Sequence, residues 1–360
     1  MRPDCFFNAM GIVMKKLVLA AAVLAMTAGS TLAADMAVKA KAPPPAPFDP
    51  WDLAFGSAIM NDYIFRGITQ SNHKPSVAVY FEPRYNVTKD LQLYAGIAGE
   101  SISFPNRAAA EIDFYAGIRP TFGIFAFDFG AWGYVYPGGQ CFGSMGTTVP
   151  PTNNCAAFGQ GNDFGQNVVG GLPFNGNFAK KNASFYEVYG KVLVTINDQF
   201  AVGVNEYYSP NFLNLGAWGN YASITGKWTA PSTTFGSSGV GMYISGEFGR
   251  QWLGTSDAFY GTTIGTAFGG PFPGGIPEPS YNTWNIGVGF TYKVFTLDIR
   301  YSDTNLSKGN CNAFTSDFST TNVSPNFVTA INPGGFGSNW CGATGIVKLS
   351  ADLTAMTNLK

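Results

Sequence analysis

The sequence predicts an all-β protein, a transmembrane antiparallel β-barrel of about twelve strands with long extracellular loops. Three observations predict this fold. Apolar residues alternate with small or polar ones in many segments, the connections between those segments alternate in length, and charged residues fall on one side of the alternation. A period of two gives a strand two unlike faces. An apolar face that recurs on every strand is typical of a barrel with lipid outside and water inside.

The segment from 281 to 303 shows the alternation most clearly. Every second residue from Trp284 to Phe290 is apolar, and the residues between them are small or polar. After a short connection at 292–294, the alternation resumes through Tyr301. Two such strands on a tight turn form a hairpin, so this segment is expected to supply two neighbouring strands.

The strand candidates after Pro50 are even in number, as in bacterial single-chain barrels. They cover residues 52–65, 76–86, 90–102, 111–120, 124–136, 183–196, 199–208, 220–228, 240–252, 281–292, 294–303 and 345–354. When the candidates are counted in chain order, the connection after each even-numbered strand is short and the connection after each odd-numbered strand is longer. Short periplasmic turns alternating with long external loops are typical of outer-membrane barrels. A secreted β-sandwich, the structural alternative, gives no reason for this alternation.

The composition supports the same class of protein. Charged residues make up 12% of the chain, aromatic residues 15%, and glycine occurs 45 times. No apolar run of the roughly 20 residues that a transmembrane helix needs follows Ala34. The formal net charge of −1 offers no basic face for nucleic acid, so we expect no such partner.

The N-terminal residues have the pattern of an export signal. Residues 1–33 are predicted to be a signal peptide, in which Lys15 and Lys16 precede an apolar stretch and a small-residue cleavage site. Residues 1–13 precede the signal pattern, which indicates a misassigned start with Met14 as the initiator. Residues 34–50 form a Pro/Ala-rich periplasmic tether, and 51–360 form the barrel. The expected location is the Gram-negative outer membrane, where lipid, lipopolysaccharide and the barrel-assembly machinery are the expected partners.

Charged residues of the predicted strands lie opposite the apolar face, so we expect them to line the lumen. A charge facing lipid costs about 2–4 kcal/mol at the midplane, whereas one facing water costs little. The candidate pore-lining residues are Asp62, Arg66, Glu82, Arg84, Glu111, Asp113, Arg119, Asp128, Glu187, Lys191, Asp298, Arg300 and Lys348. Asp62 and Arg66 are predicted to share one strand face, either as a hydrogen-bonded pair that stiffens the wall or as a constriction pair.

Four cysteines fall in two long predicted loops. Cys141 and Cys155 share one loop, and Cys311 and Cys341 share another. Such pairs form disulfides in an oxidising compartment, so one link within each loop is expected. A metal site is the alternative, but it would need CxxC spacing or further histidines, and His73 is the only histidine. We therefore expect neither a metal nor a cofactor.

Several motifs resemble the TorF-type porins, a family of bacterial outer-membrane proteins. The segment from Asp62 to Pro75 contains D-Y-x-F-R-G, then T-Q-S and K-P; E-x-D-x-Y-x-G follows at Glu111–Gly117, and Y-x-Y-P-G begins at Tyr134. A further match runs from Trp284 to Thr304. The resemblance spans most of residues 51–304 and implies a porin, although the cysteine-bearing loops are longer than the family pattern.

Catalytic motifs are weak in this sequence. His73 is predicted in an external loop without a GxSxG context, so a serine hydrolase is not expected. Glu111 and Asp113 share one strand face and could do acid–base work, but a lumen that contains many charges explains them better. We therefore expect a protein that is not an enzyme.

The function predicted from these features is passive diffusion of small hydrophilic solutes through a mixed-charge lumen. The excess of acidic over basic lumen residues indicates a weak preference for cations. The alternative is a non-conducting surface or anchor protein whose barrel is plugged by loops or by inward aromatic residues. The loop at 137–182 could fold inward and narrow the pore, or it could only cover the mouth.

Overall fold

The computed structural model describes residues 50–139, 179–257, 260, 272 and 274–358, and every structural statement below concerns these residues. The strands are β1 (Trp51–Met60), β2 (Ile64–Phe65), β3 (Ile68–Thr69), β4 (Ser76–Thr88), β5 (Leu91–Glu100), β6 (Glu111–Phe122), β7 (Phe125–Val135), β8 (Phe185–Thr195), β9 (Phe200–Ser209), β10 (Gly219–Thr229), β11 (Val240–Leu253), β12 (Tyr281–Tyr292), β13 (Phe295–Thr304) and β14 (Thr344–Thr354). Two α-helices, α1 (Lys308–Thr315) and α2 (Ala355–Asn358), and three short 3₁₀ turns complete the structure.

Twelve of these strands form a closed antiparallel barrel, which confirms the predicted fold. The order around the barrel is β1-β14-β13-β12-β11-β10-β9-β8-β7-β6-β5-β4, and β1 pairs with both β4 and β14. Closure leaves no unpaired strand edge, which is the condition for a sheet to cross lipid. The short turns and both ends of the barrel sequence lie at one rim, which we call the inner rim. The long loops lie at the outer rim.

Large apolar side chains are exposed on the outside of every barrel strand. Val79, Phe114 and Val204, which lie on the apolar faces of β4, β6 and β9, are each more than half exposed. Aromatic residues ring both rims: Trp51, Tyr85, Phe122, Phe200 and Tyr292 at the inner rim, and Tyr186, Tyr208, Trp218 and Tyr301 at the outer rim. An apolar band between two aromatic girdles is the surface of an outer-membrane barrel.

No described helix combines the length and the apolar character that crossing a membrane requires.

The predicted signal peptide, the start at Met14 and the tether fall on residues 1–49, outside the described residues. The same is true of Cys141 and Cys155 and of most of the loop between β7 and β8. These predictions stay predictions.

Candidate functional site

The first outer connection, residues 61–75, folds into the barrel, and we call it the plug hairpin. Within it β2 and β3 pair across a two-residue turn of Arg66 and Gly67, both with positive φ. A turn with two positive φ values matches the twist of a hairpin. A Cβ at Gly67 would lie 2.8 Å from Thr283 Oγ1, so the turn packs directly against the barrel wall.

Arg66, at the tip of the plug hairpin, binds residues on the opposite wall of the barrel. Its guanidinium donates to both carboxylate oxygens of Glu187 at 2.9 and 2.8 Å and to Gln251 at 2.9 Å. It also lies over the rings of Tyr207 and Tyr221. These partners stand on β8 to β11, the wall opposite β1 and β4. The Arg66 and Glu187 side chains are only 5% and 0% exposed, so this ion pair is sealed from water.

The predicted pairing of Asp62 with Arg66 on one strand face is wrong. Strand β1 ends at Met60, and Arg66 sits in the hairpin turn rather than on that strand. Asp62 instead binds within the plug hairpin: its carboxylate accepts from Thr69 Oγ1 at 2.5 Å and from Ser71 Oγ at 3.1 Å. It also contacts His73 Nδ1 at 2.6 Å. The two residues therefore fix the base and the tip of the hairpin separately.

His73 links the plug hairpin to the last outer loop. Its Nε2 lies 2.9 Å from the carbonyl oxygen of Asn339, and its Nδ1 faces Asp62. Because both partners are acceptors, the ring satisfies both only as the imidazolium. The hydrogen bond to Asp62 raises the pKa of His73 above its usual 6.5. No serine hydroxyl among the described residues hydrogen-bonds to this ring.

The last outer loop, residues 305–343, covers the hairpin, and we call it the cap loop. Thr69 N donates to the carbonyl of Trp340 at 3.0 Å, and Ile68 bridges to Cys341. The predicted disulfide between Cys311 and Cys341 is confirmed and ties this segment to helix α1. Beneath the cap loop lies a buried apolar cluster that includes Ile68, Tyr134, Phe185, Phe212, Leu253, Phe314 and Trp340. The described residues thus close the outer mouth with apolar side chains.

Three carboxylates lie on the wall below the plug hairpin. Glu100 ends β5 and is paired in register with Glu111 at the start of β6; Asp113 follows on the same face. Glu111 accepts from Tyr63 Oη at 2.6 Å and from Tyr136 Oη at 2.7 Å. Glu100 Oε2 and Asp113 Oδ1 are buried without a hydrogen-bond donor.

The inner half of the lumen holds two networks of mixed charge. On one wall Glu82 accepts from Arg84 and Arg119, and Arg119 also reaches Asp128 at 3.5 Å. Lys191 lies over the Tyr189 ring nearby. The side chains of Arg84, Arg119 and Asp128 remain 15–20% exposed, so water reaches them.

The second network lies on strands β11 to β14. Arg300 donates to Asp298 at 3.0 Å and to Ser245 at 2.7 Å, and it retains 21% exposure. Tyr243 Oη also donates to Asp298 at 2.8 Å. Lys348 stands opposite Asp298 in the register of β13 and β14. In both networks the arginine side chains therefore stay partly exposed inside the barrel.

The structure divides the thirteen predicted pore-lining residues into two groups. Glu82, Arg84, Arg119, Asp128, Lys191, Asp298, Arg300 and Lys348 belong to the two inner networks, whereas Asp62, Arg66, Glu111, Asp113 and Glu187 lie at the closed outer end. Four further residues complete the outer end, and no role was predicted for them: Gln251, Tyr63, Tyr136 and Glu100. The pairs Ile64–Phe65 and Ile68–Thr69, all β-branched or aromatic residues, on either side of Arg66-Gly67 are the signal that could have revealed the hairpin.

Comparison with known proteins gives one family match and several structural similarities. A model of a bacterial protein family of unknown function, Gcw_chp, matches residues 45–157. No curated protein matches the chain. The resemblance to the TorF-type porins stays a prediction.

Three solved outer-membrane structures illustrate the structural similarity. The COG4313 outer membrane channel from Pseudomonas putida F1 is 10% identical with a TM-score of 0.37, and the match covers 88% of this chain and 100% of that one. LpxR from Salmonella typhimurium is 10% identical with a TM-score of 0.36, covering 83% and 99%. OmpT, an outer membrane protein of Vibrio cholerae, is 11% identical with a TM-score of 0.32, covering 85% and 98%. At these values the function has to be argued from the residues of this barrel.

Proposed function

We propose that this protein is an outer-membrane channel for small hydrophilic solutes, closed at its outer mouth by the plug hairpin. The observation that carries the proposal is the inner half of the lumen, where the side chains of Arg84, Arg119, Arg300 and Asp128 keep 15–21% exposure inside a closed barrel. Such a lining solvates hydrophilic solutes and disfavours apolar ones. Passage then depends on displacement of the plug hairpin from the opposite wall.

The contact that holds the closure is the pair of Arg66 with Glu187. It is the one salt bridge among the described residues that joins the plug hairpin to the opposite wall. Its loss leaves the Glu187 charge buried without a basic partner, and hydration of that charge favours an open, water-filled mouth. We therefore expect removal of Arg66 to increase permeation.

Planar-bilayer recording of wild type and Arg66→Ala tests this proposal. We expect small or rare conductance steps in the wild type and larger, more frequent steps in the variant. Arg250→Ala is the matched control, because Arg250 is an arginine near the same rim that binds Asn282 and makes no contact with the plug hairpin. A heat-modifiable gel shift checks that each variant is folded. If neither wild type nor Arg66→Ala conducts, the channel proposal fails.

Ion selectivity of the open variant tests the finer part of the proposal, a weak cation preference. The inner networks hold five basic side chains against the acids Glu82, Asp128 and Asp298, so they carry no excess of acid. The excess of acid that favours cations lies at the outer end, where Arg66→Ala leaves Glu187, Glu111 and Asp113 without a basic partner among the described residues. We expect a modest cation-over-anion permeability ratio that falls as ionic strength rises, because screening weakens exposed charge. Strong anion selectivity would contradict this assignment.

The sealed outer mouth favours a second candidate, a non-conducting surface or anchor protein. The apolar cluster beneath the cap loop resembles a structural core more than a gate, since it buries residues from several outer loops. Liposome swelling with sugars of graded size separates the two functions. No swelling at any size, in wild type or in Arg66→Ala, would favour the second candidate.

A further inference from the structure

We propose that Glu100, Glu111 and Asp113 form a binding site for a divalent cation, best suited to Ca²⁺, beneath the plug hairpin. One carboxylate oxygen from each residue lies within 4.8 Å of the others. The three residues are 8%, 2% and 3% exposed, which makes them as buried as Glu82 and Asp298 of the inner networks. Unlike those two acids, none of the three forms a salt bridge with a described basic residue.

The three carboxylates lack compensating positive charge. No described lysine, arginine or histidine forms a salt bridge with any of them, although every acid of the two inner networks has a basic neighbour. Two tyrosine hydroxyls satisfy Glu111, but Glu100 Oε2 and Asp113 Oδ1 are orphaned acceptors. The Trp132 indole N–H lies near Asp113 but does not have the geometry of a hydrogen bond to Oδ1. Burying anionic oxygens without hydrogen-bond donors costs free energy, and a bound cation would offset that cost.

The donor set and its spacing decide which cation fits. Carboxylate oxygens without nitrogen or sulfur ligands select hard cations such as Ca²⁺ and Mg²⁺. Calcium–oxygen distances of about 2.3–2.6 Å let one ion bridge oxygens up to about 5 Å apart, whereas Mg²⁺ at about 2.1 Å bridges only about 4.2 Å. The oxygens of the trio, within 4.8 Å of one another, suit the longer calcium–oxygen bonds, with water or main-chain oxygens completing the shell.

The site is connected to the closure of the mouth through Tyr63. This residue belongs to the plug hairpin and donates its hydroxyl to Glu111. A cation on the other side of the carboxylate would keep Glu111 ionised and so strengthen that hydrogen bond. Ion binding thus favours the seated hairpin, and this consequence for permeation rests on the proposed function; the binding itself does not.

Terbium luminescence tests the site directly. Tb³⁺ replaces Ca²⁺ on carboxylate oxygens, and Trp132, Tyr63 and Tyr136 are close enough to sensitise it. The protein is refolded in detergent without lipopolysaccharide, because lipid phosphates bind the same ions. We expect sensitised emission in the wild type that Ca²⁺ displaces, and at least a tenfold loss of affinity in Asp113→Asn and in Glu100→Gln. Glu247 is a lumen acid outside the trio that accepts from Tyr221 Oη and Asn285 Nδ2, so Glu247→Gln should bind as the wild type does.

A thermal measurement provides an independent readout. In the wild type, Ca²⁺ should raise the temperature at which the heat-modifiable band unfolds relative to EDTA. The double variant Glu100→Gln, Asp113→Asn should show no such difference and should unfold later than the wild type in EDTA, because its repelling charges are gone. Emission that is unchanged in the variants, or a wild-type midpoint indifferent to Ca²⁺, would overturn the assignment. Neither measurement depends on conductance. They therefore test the cation site even if the barrel never conducts and the channel proposal fails.

Discussion

The outer and inner halves of the lumen contain the same types of charged residue, but their ion pairs differ in exposure. The outer pair of Arg66 and Glu187 is sealed, at 5% and 0% exposure, whereas the inner pair of Arg119 and Asp128 keeps 17% and 20%. The outer pair joins elements far apart in the barrel, while the inner pair joins neighbouring strands. Burial makes the outer pair costly to break, whereas partial exposure lets water compensate the loss of either partner in the inner pair.

Removing one acid from each half should affect the stability of the protein very differently, and the loss at the outer end is the largest effect that we predict. Glu187→Leu leaves the Arg66 charge buried without its partner, so we expect the free energy of unfolding to fall by about 3–5 kcal/mol. Asp128→Leu leaves Arg119 with Glu82 and with water, so the loss should be at most about 1 kcal/mol. Urea unfolding in detergent, followed by tryptophan fluorescence, measures both values.

A second variant checks that the cost arises from the unpaired charge. Adding Arg66→Met to Glu187→Leu replaces the ion pair by apolar side chains, and such replacements are often neutral or stabilising. We expect the double variant to regain most of the stability lost in Glu187→Leu. Equal losses in the outer and inner single variants would erase the distinction between the two halves.

Removing the disulfide of the cap loop should cause the next largest loss of stability. Replacing Cys311 and Cys341 by serine releases a closure of 30 residues, which the loop-entropy argument values at about 3–4 kcal/mol. The effect should be confined to the outer half, because only the cap loop and the plug hairpin depend on this link. Hydrogen exchange should accelerate at residues 61–75 and stay unchanged in β5 to β7.

Alanine substitutions at two glycines distinguish the cost of close packing at the outer mouth from the cost of backbone strain. Gly67 and Gly123 both have positive φ, but a Cβ meets Thr283 at 2.8 Å only at Gly67, and at Gly123 it meets nothing within 4 Å. Alanine at Gly123 should cost about 1 kcal/mol through strain, and at Gly67 about 2 kcal/mol through strain and contact. Matching losses in thermal or urea unfolding would show that the plug hairpin is not tightly seated.

The barrel could be predicted from sequence because its signal is local. Period-two alternation identifies each strand and its lipid face, and alternating loop lengths identify the two rims. The plug hairpin could not, because Arg66 finds its partners 121 and 185 residues away and no local pattern tells whether a loop folds inward. The same limit applies to the acid trio: the spacing of Glu111 and Asp113 placed them on one face, but the orphaned oxygens and the lack of a basic neighbour appear only in three dimensions.

The smallest predicted effect concerns pH and again acts on the outer half alone. The pKa of His73 is raised by Asp62, so the folded state binds this proton more tightly than the unfolded chain. Its stabilisation is therefore fully present below about pH 6.5 and is lost as pH rises through the higher folded-state pKa. Exchange of amides in residues 61–75 should be slower, after correction for intrinsic rates, at pH 5.5 than at pH 8. His73→Gln should remove this difference while leaving β5 to β7 unaffected, and a pH dependence that persists in the variant would assign it to another group.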